Sequence, residues 1–184
     1  MSTFARTPDD SSELDAADPR IDLWFSQRSR GWDFSRMELE ELVQALAARP
    51  HLWQHLVQHS SSERFYVRLH LDPTLEVWLI CWSQQQDTGF HDHNGSRGAV
   101  AVTDGTLVER RLAIGSTHTP SVIYSSGAVF SFGANHIHDV SQTGPVAATS
   151  IHAYSPPLGE MGFYELTANG LLSRRSGDVR EEFC

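Results

Sequence analysis

The chain contains no lysine: all 14 of its basic residues are arginine, set against 23 acids, for a formal net charge of −9 over 184 residues. No local chemistry calls for that omission, which reads as the codon bias of a high-GC genome. An acidic chain without a basic patch lacks the long-range attraction on which phosphate-backbone binding depends, so nucleic acid is not an expected partner. Long apolar runs are missing as well. No stretch approaches the roughly 18 residues of a membrane span, and the first 20 residues carry acids where a secretory leader needs an apolar core. Cysteine is scarce: Cys81 lies in the apolar run Leu79-Ile80-Cys81-Trp82, which reads as buried, and Cys184 is the last residue. Two such cysteines make no disulfide framework, and a reducing cytoplasm is the expected compartment.

What is present suits one soluble domain, with 40% hydrophobic and 20% charged residues. Residues 1–34 read as an acidic, largely irregular segment, of which 1–20 is too polar to offset its ordering entropy. Residues 35–60 read as a helical lead-in. Ser35-Arg36-Met37-Glu38 forms a capping box, and Met37, Leu39, Leu42, Val43 and Leu46 recur at helical spacing. Pro50 suits the first turn of a second helix running to about His59. On it His51, His55 and His59 share a face, either as metal ligands or as a polar stripe opposite Leu52, Trp53, Leu56 and Val57.

From Glu63 the pattern changes to short β runs at 64–71, 76–82, 98–103, 106–112, 121–124, 129–132, 147–154 and 163–166, separated by turn residues. Many short strands after a helical lead-in predict a β-sandwich or barrel over 61–170, followed by a C-terminal tail at 171–184. Within the β region His91-Asp92-His93 places two imidazoles at i and i+2, the same side of a strand, as two ligands of one metal require. Asn135-His136-Ile137-His138 offers a third imidazole, and spacing alone does not say which. Ser150, His152 and Tyr154 alternate and so share one side of their strand. Arg68 shares a strand face with Tyr66 and Arg64. The guanidinium of Arg68 suits bidentate binding of a carboxylate, whereas Arg64 reads as a surface strand arginine.

The histidine clusters resemble the paired half-motifs of the cupin family. In the first, His91, His93 and Gly105 fit, but the family's glutamate position falls on Arg97 or Gly98. In the second, Gly127, Gly133, Asn135 and Gln142 set a register that puts the ligand on His138 and leaves His136 outside. This resemblance implies a mainly β fold, a cupin (double-stranded β-helix, jelly-roll) barrel with an N-terminal helical segment. Without the glutamate, three neutral imidazoles leave a divalent metal its full charge and an open face that favours an anionic ligand such as a thiolate. Imidazoles also suit Zn, Cu and Ni, so the ligands do not choose the metal.

A closer resemblance, over about 63–157, is to the cysteine dioxygenases, cupin enzymes that use Fe(II) and O₂ to convert cysteine to its sulfinic acid. It is carried by Tyr66-Val67-Arg68, Leu79-Ile80-Cys81-Trp82, His91-Asp92-His93 and Ser150-Ile151-His152-Ala153-Tyr154-Ser155-Pro156-Pro157. It implies an Fe(II) site on His91, His93 and His138 and a substrate-binding pair, Arg68 for the carboxylate and Tyr66. It also implies a catalytic relay of Ser150, His152 and Tyr154. The cysteine that vertebrate members cross-link to the tyrosine falls on Gly98, so no cross-link is expected. Relatives acting on 3-mercaptopropionate carry glutamine where Arg68 stands, which points to an amino-acid substrate. The expected partners are a small thiol and O₂, in a monomer, with Arg97 unassigned. The competing expectations are dioxygenation of another small thiol, 3-mercaptopropionate or a thiol-bearing heterocycle, and a non-enzymatic cupin that binds a metal or small ligand. The Ser-His-Tyr alternation has little use in a pure binding module.

Overall fold

The computed structural model describes residues 18–112, 119–166 and 172–177. Asp18 caps the first helix, α1 (Pro19–Ser26), accepting the Arg20 N–H, with proline at its first turn where no donor is lost. Helix α1 lies inside the segment expected to be irregular. Ile21, Trp24 and Phe25 are spaced for one face, and burying that face supplies what local propensity does not. The capping box at Ser35 and Glu38 opens α2 (Arg36–Ala47), which buries Leu39, Leu42, Val43 and Leu46 and leaves Met37 exposed. Pro50 starts α3 (Pro50–Trp53), which tightens at once into a 3₁₀ turn at Gln54–Leu56. That change removes the shared face expected of His51, His55 and His59. His55 pairs with Asp18 at 3.1 Å, and His59 reaches Thr149 at 3.4 Å.

Eleven strands follow among the described residues: β1 (Phe65–Leu71), β2 (Glu76–Trp82), β3 (Phe90–Asp92), β4 (Arg97–Asp104), β5 (Thr106–Arg111), β6 (Ser121–Ser125), β7 (Val129–Phe132), β8 (His138–Gln142), β9 (Ala148–Ser155), β10 (Met161–Leu166) and β11 (Leu172–Gly177). They form two antiparallel sheets, ordered β1-β2-β9-β4-β7 and β11-β10-β3-β8-β5-β6. Apart from the hairpins β1–β2, β5–β6 and β10–β11, every step along the chain changes sheet. This is the expected double-stranded β-helix, a cupin barrel.

Strand β2 is buried along its whole length because both its faces are covered. On one face Val77 and Leu79 join Val67, Leu69, Ala99, Ala101, Ile151 and Ala153 under the helices. On the other, Trp78, Ile80 and Trp82 pack with Val100, Phe130, Phe132 and Tyr154 against Leu107 and Val140 of the opposite sheet. The alternation inward and outward therefore decides which residues line the barrel. Ser155, at the end of β9, ties the layers together: its Oγ accepts the Phe34 N–H at 2.8 Å and donates to the Thr74 carbonyl at 2.6 Å.

Strands β3, β8 and β11 lie outside the eight β runs read from the sequence, and β11 occupies part of the expected C-terminal tail. Leu-Ser-Arg-Arg-Ser-Gly has no strand pattern of its own, and its order comes from pairing with β10. Arg174 on β11 and Tyr164 on β10 both reach Asp92, at 3.0 and 2.5 Å, which fastens the hairpin to the strand bearing His91. The first half of the acidic segment, residues 1–17, and Cys184 lie outside the described residues. Cys81 is buried, as the apolar run implied.

Candidate metal centre

Strands β3 and β8 pair at a single point, His91 opposite His138, and His93 follows β3 immediately. The three imidazoles offer ligand nitrogens within 4.8 Å of one another, with ring centroids 4.8 to 5.0 Å apart. All three are at most 2% exposed. His91 Nδ1 donates to the Gly89 carbonyl at 3.0 Å, which makes Nε2 its lone-pair nitrogen. Both ring nitrogens of His93 are buried without a hydrogen-bond partner among the described residues. A buried polar atom left unpaired costs about 1–3 kcal/mol, and a divalent cation among three imidazoles would remove that cost at one of the two nitrogens. Burial pushes all three pKa values down, and mutual repulsion lowers His91 and His93 further. The cluster is neutral at pH 7, the state a metal requires of imidazole. The donor set fits a resident metal and does not name it.

The register inferred for the second half-motif places the imidazoles as found: His138 joins His91 and His93, and His136 points elsewhere. His136 Nε2 and His138 Nδ1 both donate to Oε1 of Glu109, at 2.7 and 3.0 Å. The other oxygen of Glu109 accepts from Arg111 Nε at 2.8 Å and from the Tyr124 hydroxyl at 3.3 Å. Burial raises the pKa of this carboxyl, but the donors around it outweigh burial and hold it well below the usual range. Sequence reasoning passed over Glu109, which sits in Val-Glu-Arg-Arg and resembles a solvated face. The available signal was its position on β5, pointing into the barrel with Leu107 and Arg111.

On the five-stranded sheet Ser150, His152 and Tyr154 form a buried hydrogen-bonded line. Ser150 Oγ and His152 Nε2 are 2.8 Å apart, and His152 Nδ1 and the Tyr154 hydroxyl 3.2 Å. Trp82 Nε1 donates to Ser150 Oγ at 2.8 Å. The Ser150 hydroxyl still has a lone pair and a hydrogen to offer His152 Nε2, so either tautomer of the imidazole completes the contact. His152 is neutral, because burial, His138 and Arg64 push its pKa down to about 3. With its one proton on Nδ1, His152 donates to the phenol oxygen and turns the Tyr154 hydrogen away from itself. The Tyr154 ring lies 5.4 Å from that of His93.

Arg68 and Tyr66 project from β1 toward the barrel interior. Tyr66 meets Trp78 edge-on at 5.8 Å, and the Arg68 guanidinium lies 5.4 Å over Trp78 and 3.6 Å from Glu76. Glu76 is buried beside Tyr154 across β2 and β9 and also accepts the Leu158 N–H. The sequence had not singled it out. Arg64 corrects an expectation: it is not on the surface but 5% exposed, with Nη1 on the Asp87 carbonyl and its guanidinium 4.8 Å over Trp82. The loop after β2 folds across the strand end and covers it. Arg97 turns out of the barrel toward the helices, donating to the Phe34 carbonyl at 3.3 Å. At Gly98, beside Tyr154 on β9, a Cβ would stand 2.2 Å from the Phe132 ring. That ring fills the space a side chain at 98 would need, and stacks on His93 at 4.5 Å.

A family model described as cysteine dioxygenase type I matches residues 33–166. The chain belongs to the cysteine dioxygenase type I family. Among its relatives are cysteine dioxygenase type 1 of Bos taurus, 24% identical over 141 residues, and that of Danio rerio, 25% identical over 135. The aligned stretches cover 70% and 66% of this chain, and 68% and 65% of the relatives. A Klebsiella pneumoniae protein described as having a double-stranded β-helix domain superposes with a TM-score of 0.51 at 14% identity, over 60% of this chain and 86% of that one, a likeness of fold alone. The cysteine dioxygenase match runs from just before α2 to the end of β10. It contains His91, His93, His138, Arg68 and the Ser150–Tyr154 line, and it leaves out α1 and β11.

Proposed function

We propose that the protein is an iron-dependent thiol dioxygenase that adds both atoms of O₂ to the sulfur of L-cysteine, giving cysteine sulfinic acid. The observation that carries this reading is the buried His91–His93–His138 cluster, with His93 unpaired, facing the Ser150–His152–Tyr154 line in a member of the cysteine dioxygenase type I family. Fe(II) held by the three histidines would supply positions for thiolate and O₂ and the redox capacity to activate O₂. His91, His93 and His138 add no charge, which favours the substrate as thiolate. Arg68 binds the substrate carboxylate and, with Tyr66, holds the sulfur at the open face of the cluster. Tyr154, oriented by His152 and Ser150, donates a hydrogen bond toward the oxygens passing to sulfur or toward the substrate carboxylate. The thiol proton and both oxygens are conserved in the sulfinic acid, so no external reductant is consumed. The same reading takes the partners to be a small thiol and O₂, the chain to act as a monomer, and its setting to be the cytoplasm. No helix among the described residues is long and apolar enough to cross a membrane.

A second substrate reading has one specific observation behind it. Glu76 stands beside Arg68 and offsets its charge, which weakens the case for a carboxylate there and favours a thiol-bearing heterocycle over cysteine and over 3-mercaptopropionate, which carries a carboxylate of its own. Mass spectrometry of products formed in ¹⁸O₂ by the Fe(II)-loaded protein decides between them. Cysteine sulfinate carrying two labelled oxygens, dependent on iron and protein, is the expected result. A sulfinate from a different thiol, with none from cysteine, moves the assignment to that thiol. No sulfinate from any thiol, with iron bound, leaves a metal-binding cupin without this activity.

A further inference from the structure

We propose that Glu109 is a positioning residue for the metal centre: its carboxylate holds His138 with Nε2 facing His91 and His93, and lends the three-imidazole set the negative charge that it lacks. This rests on the metal centre proposed above and concerns a residue outside its ligand set. A neutral imidazole carries one proton, and an anionic acceptor at Nδ1 fixes that proton there, so the lone pair lies on Nε2. Glu109 is that acceptor for His138, at 3.0 Å. The carboxylate cannot swing away, because β5 pairs with β8 alongside and both of its oxygens are engaged. Oε1 takes His136 as well as His138, and Oε2 takes Arg111 and Tyr124. The whole arrangement is buried at the carboxylate, which is 1% exposed.

The effect on a bound cation is direct. An imidazole that donates strongly from Nδ1 gains electron density at Nε2 and becomes a better donor to a metal, and loss of such a partner typically costs tenfold to a hundredfold in metal affinity. The position where cupins place a ligating glutamate holds Arg97 or Gly98, and Arg97 faces the helices. Glu109 therefore supplies an anion one hydrogen bond behind the metal instead of on it. His136 shares the same oxygen from the solvent side. Glu109, His136 and His138 also lie close enough to hold an ion of their own, but their 2.7 and 3.0 Å separations are hydrogen bonds, and the second carboxylate oxygen is already taken by Arg111 and Tyr124.

The test uses the full chain, stripped of metal and titrated anaerobically with Co(II) against a competing chelator. The wild type takes one Co(II) per chain. Glu109→Gln, which keeps the shape but not the charge, lowers Co(II) affinity by about tenfold to a hundredfold and shifts the visible ligand-field bands. His136→Asn stays within about threefold of wild type and keeps a stoichiometry of one, whereas loss of Co(II) in that variant overturns the assignment in favour of His136 as a ligand. A measurement on the metal-free wild type stands independently of how the variants fold. Long-range ¹H–¹⁵N spectra of ¹⁵N-histidine protein report the tautomer, and His138 carries its proton on Nδ1. The opposite tautomer overturns the proposal, as does unchanged affinity in a folded Glu109→Gln protein. If the wild type takes up no Co(II), the metal centre and this role fall together; equal affinity in wild type and Glu109→Gln removes the role of Glu109 alone.

Discussion

At Ser150 a single hydroxyl anchors a line of hydrogen bonds. Trp82 donates to it, and with the His152 proton on Nδ1 its own hydrogen goes to His152, which in turn donates to Tyr154. The phenol hydrogen is then directed away from this line. Tyr154→Phe keeps the ring, which packs near His93 and Phe132, and removes the hydroxyl, both that hydrogen and the oxygen that His152 meets. Turnover to sulfinate is expected to fall by roughly a hundredfold, within the range for loss of one oriented donor, while Co(II) uptake is unchanged. Turnover within twofold of wild type would leave the tyrosine as packing. Glu109 and Arg64 show what side-chain identity hides. Each lies in a run that reads as polar strand surface, and each is buried because partners distant in sequence arrive around it: His136, His138 and Tyr124 for the acid, Trp82 and Asp87 for the base.

Two short elements hold the strands that frame the site. The β1–β2 turn is organised by Asp72, whose Oδ1 accepts from the Thr74 N–H, the Thr74 hydroxyl and the Leu75 N–H at 2.7 to 2.9 Å, and whose Oδ2 lies 3.1 Å from His70. Burial raises the Asp72 pKa, but the bonds from Thr74 and His70 outweigh it and bring it down to about 2. An unfolded aspartate titrates near 3.9, so the folded form is stabilised above about pH 4. That contribution, about 1–2 kcal/mol after solvent screening, is lost as pH falls through 2. Asp72→Asn is expected to unfold more readily than wild type at pH 7, with the gap closing between pH 4 and pH 2 in urea titrations. A gap that does not depend on pH would remove the charge from the explanation. On β4, Gly98→Ala drives a methyl into the Phe132 ring and is expected to cost about 1–3 kcal/mol by overpacking. Phe132→Leu in the same chain should recover part of that loss, and equal stability of Gly98→Ala and wild type in denaturant would show that the ring moves freely.

Across the whole molecule, the helices cover the outer face of the five-stranded sheet, and the barrel interior is left to the aromatic cluster and the histidines. Neither apolar cluster includes His91, His93 or His138, so the metal-free chain should fold. Metal then binds the native state alone. At a hundredfold excess over Kd that contributes about 2.7 kcal/mol, roughly 5–10 °C in Tm for a chain of this size. Calorimetry with and without Co(II) checks this, and His93→Ala should abolish the shift. An unchanged Tm in the wild type would mean that the three imidazoles do not gather a metal.

Much of this was legible in the linear chain. The His-x-His pair, the alternation of Ser150, His152 and Tyr154, the capping box at Ser35 and the unbroken apolar run of β2 are local patterns, because helix and strand periods assign a side to each residue. The second half-motif even chose His138 over His136. The polar strands β8 and β11 were not legible, since His-Asp-Val-Ser-Gln and Leu-Ser-Arg-Arg-Ser-Gly become strands only when a neighbour supplies their hydrogen bonds. The carboxylate behind His138, the burial of Arg64, the Arg68–Glu76 pair and the ring that fills the space at Gly98 belong to the tertiary structure alone. Each depends on which strand lies beside which. Pattern along the chain determines the side on which a residue points; only closure of the barrel decides what it meets there.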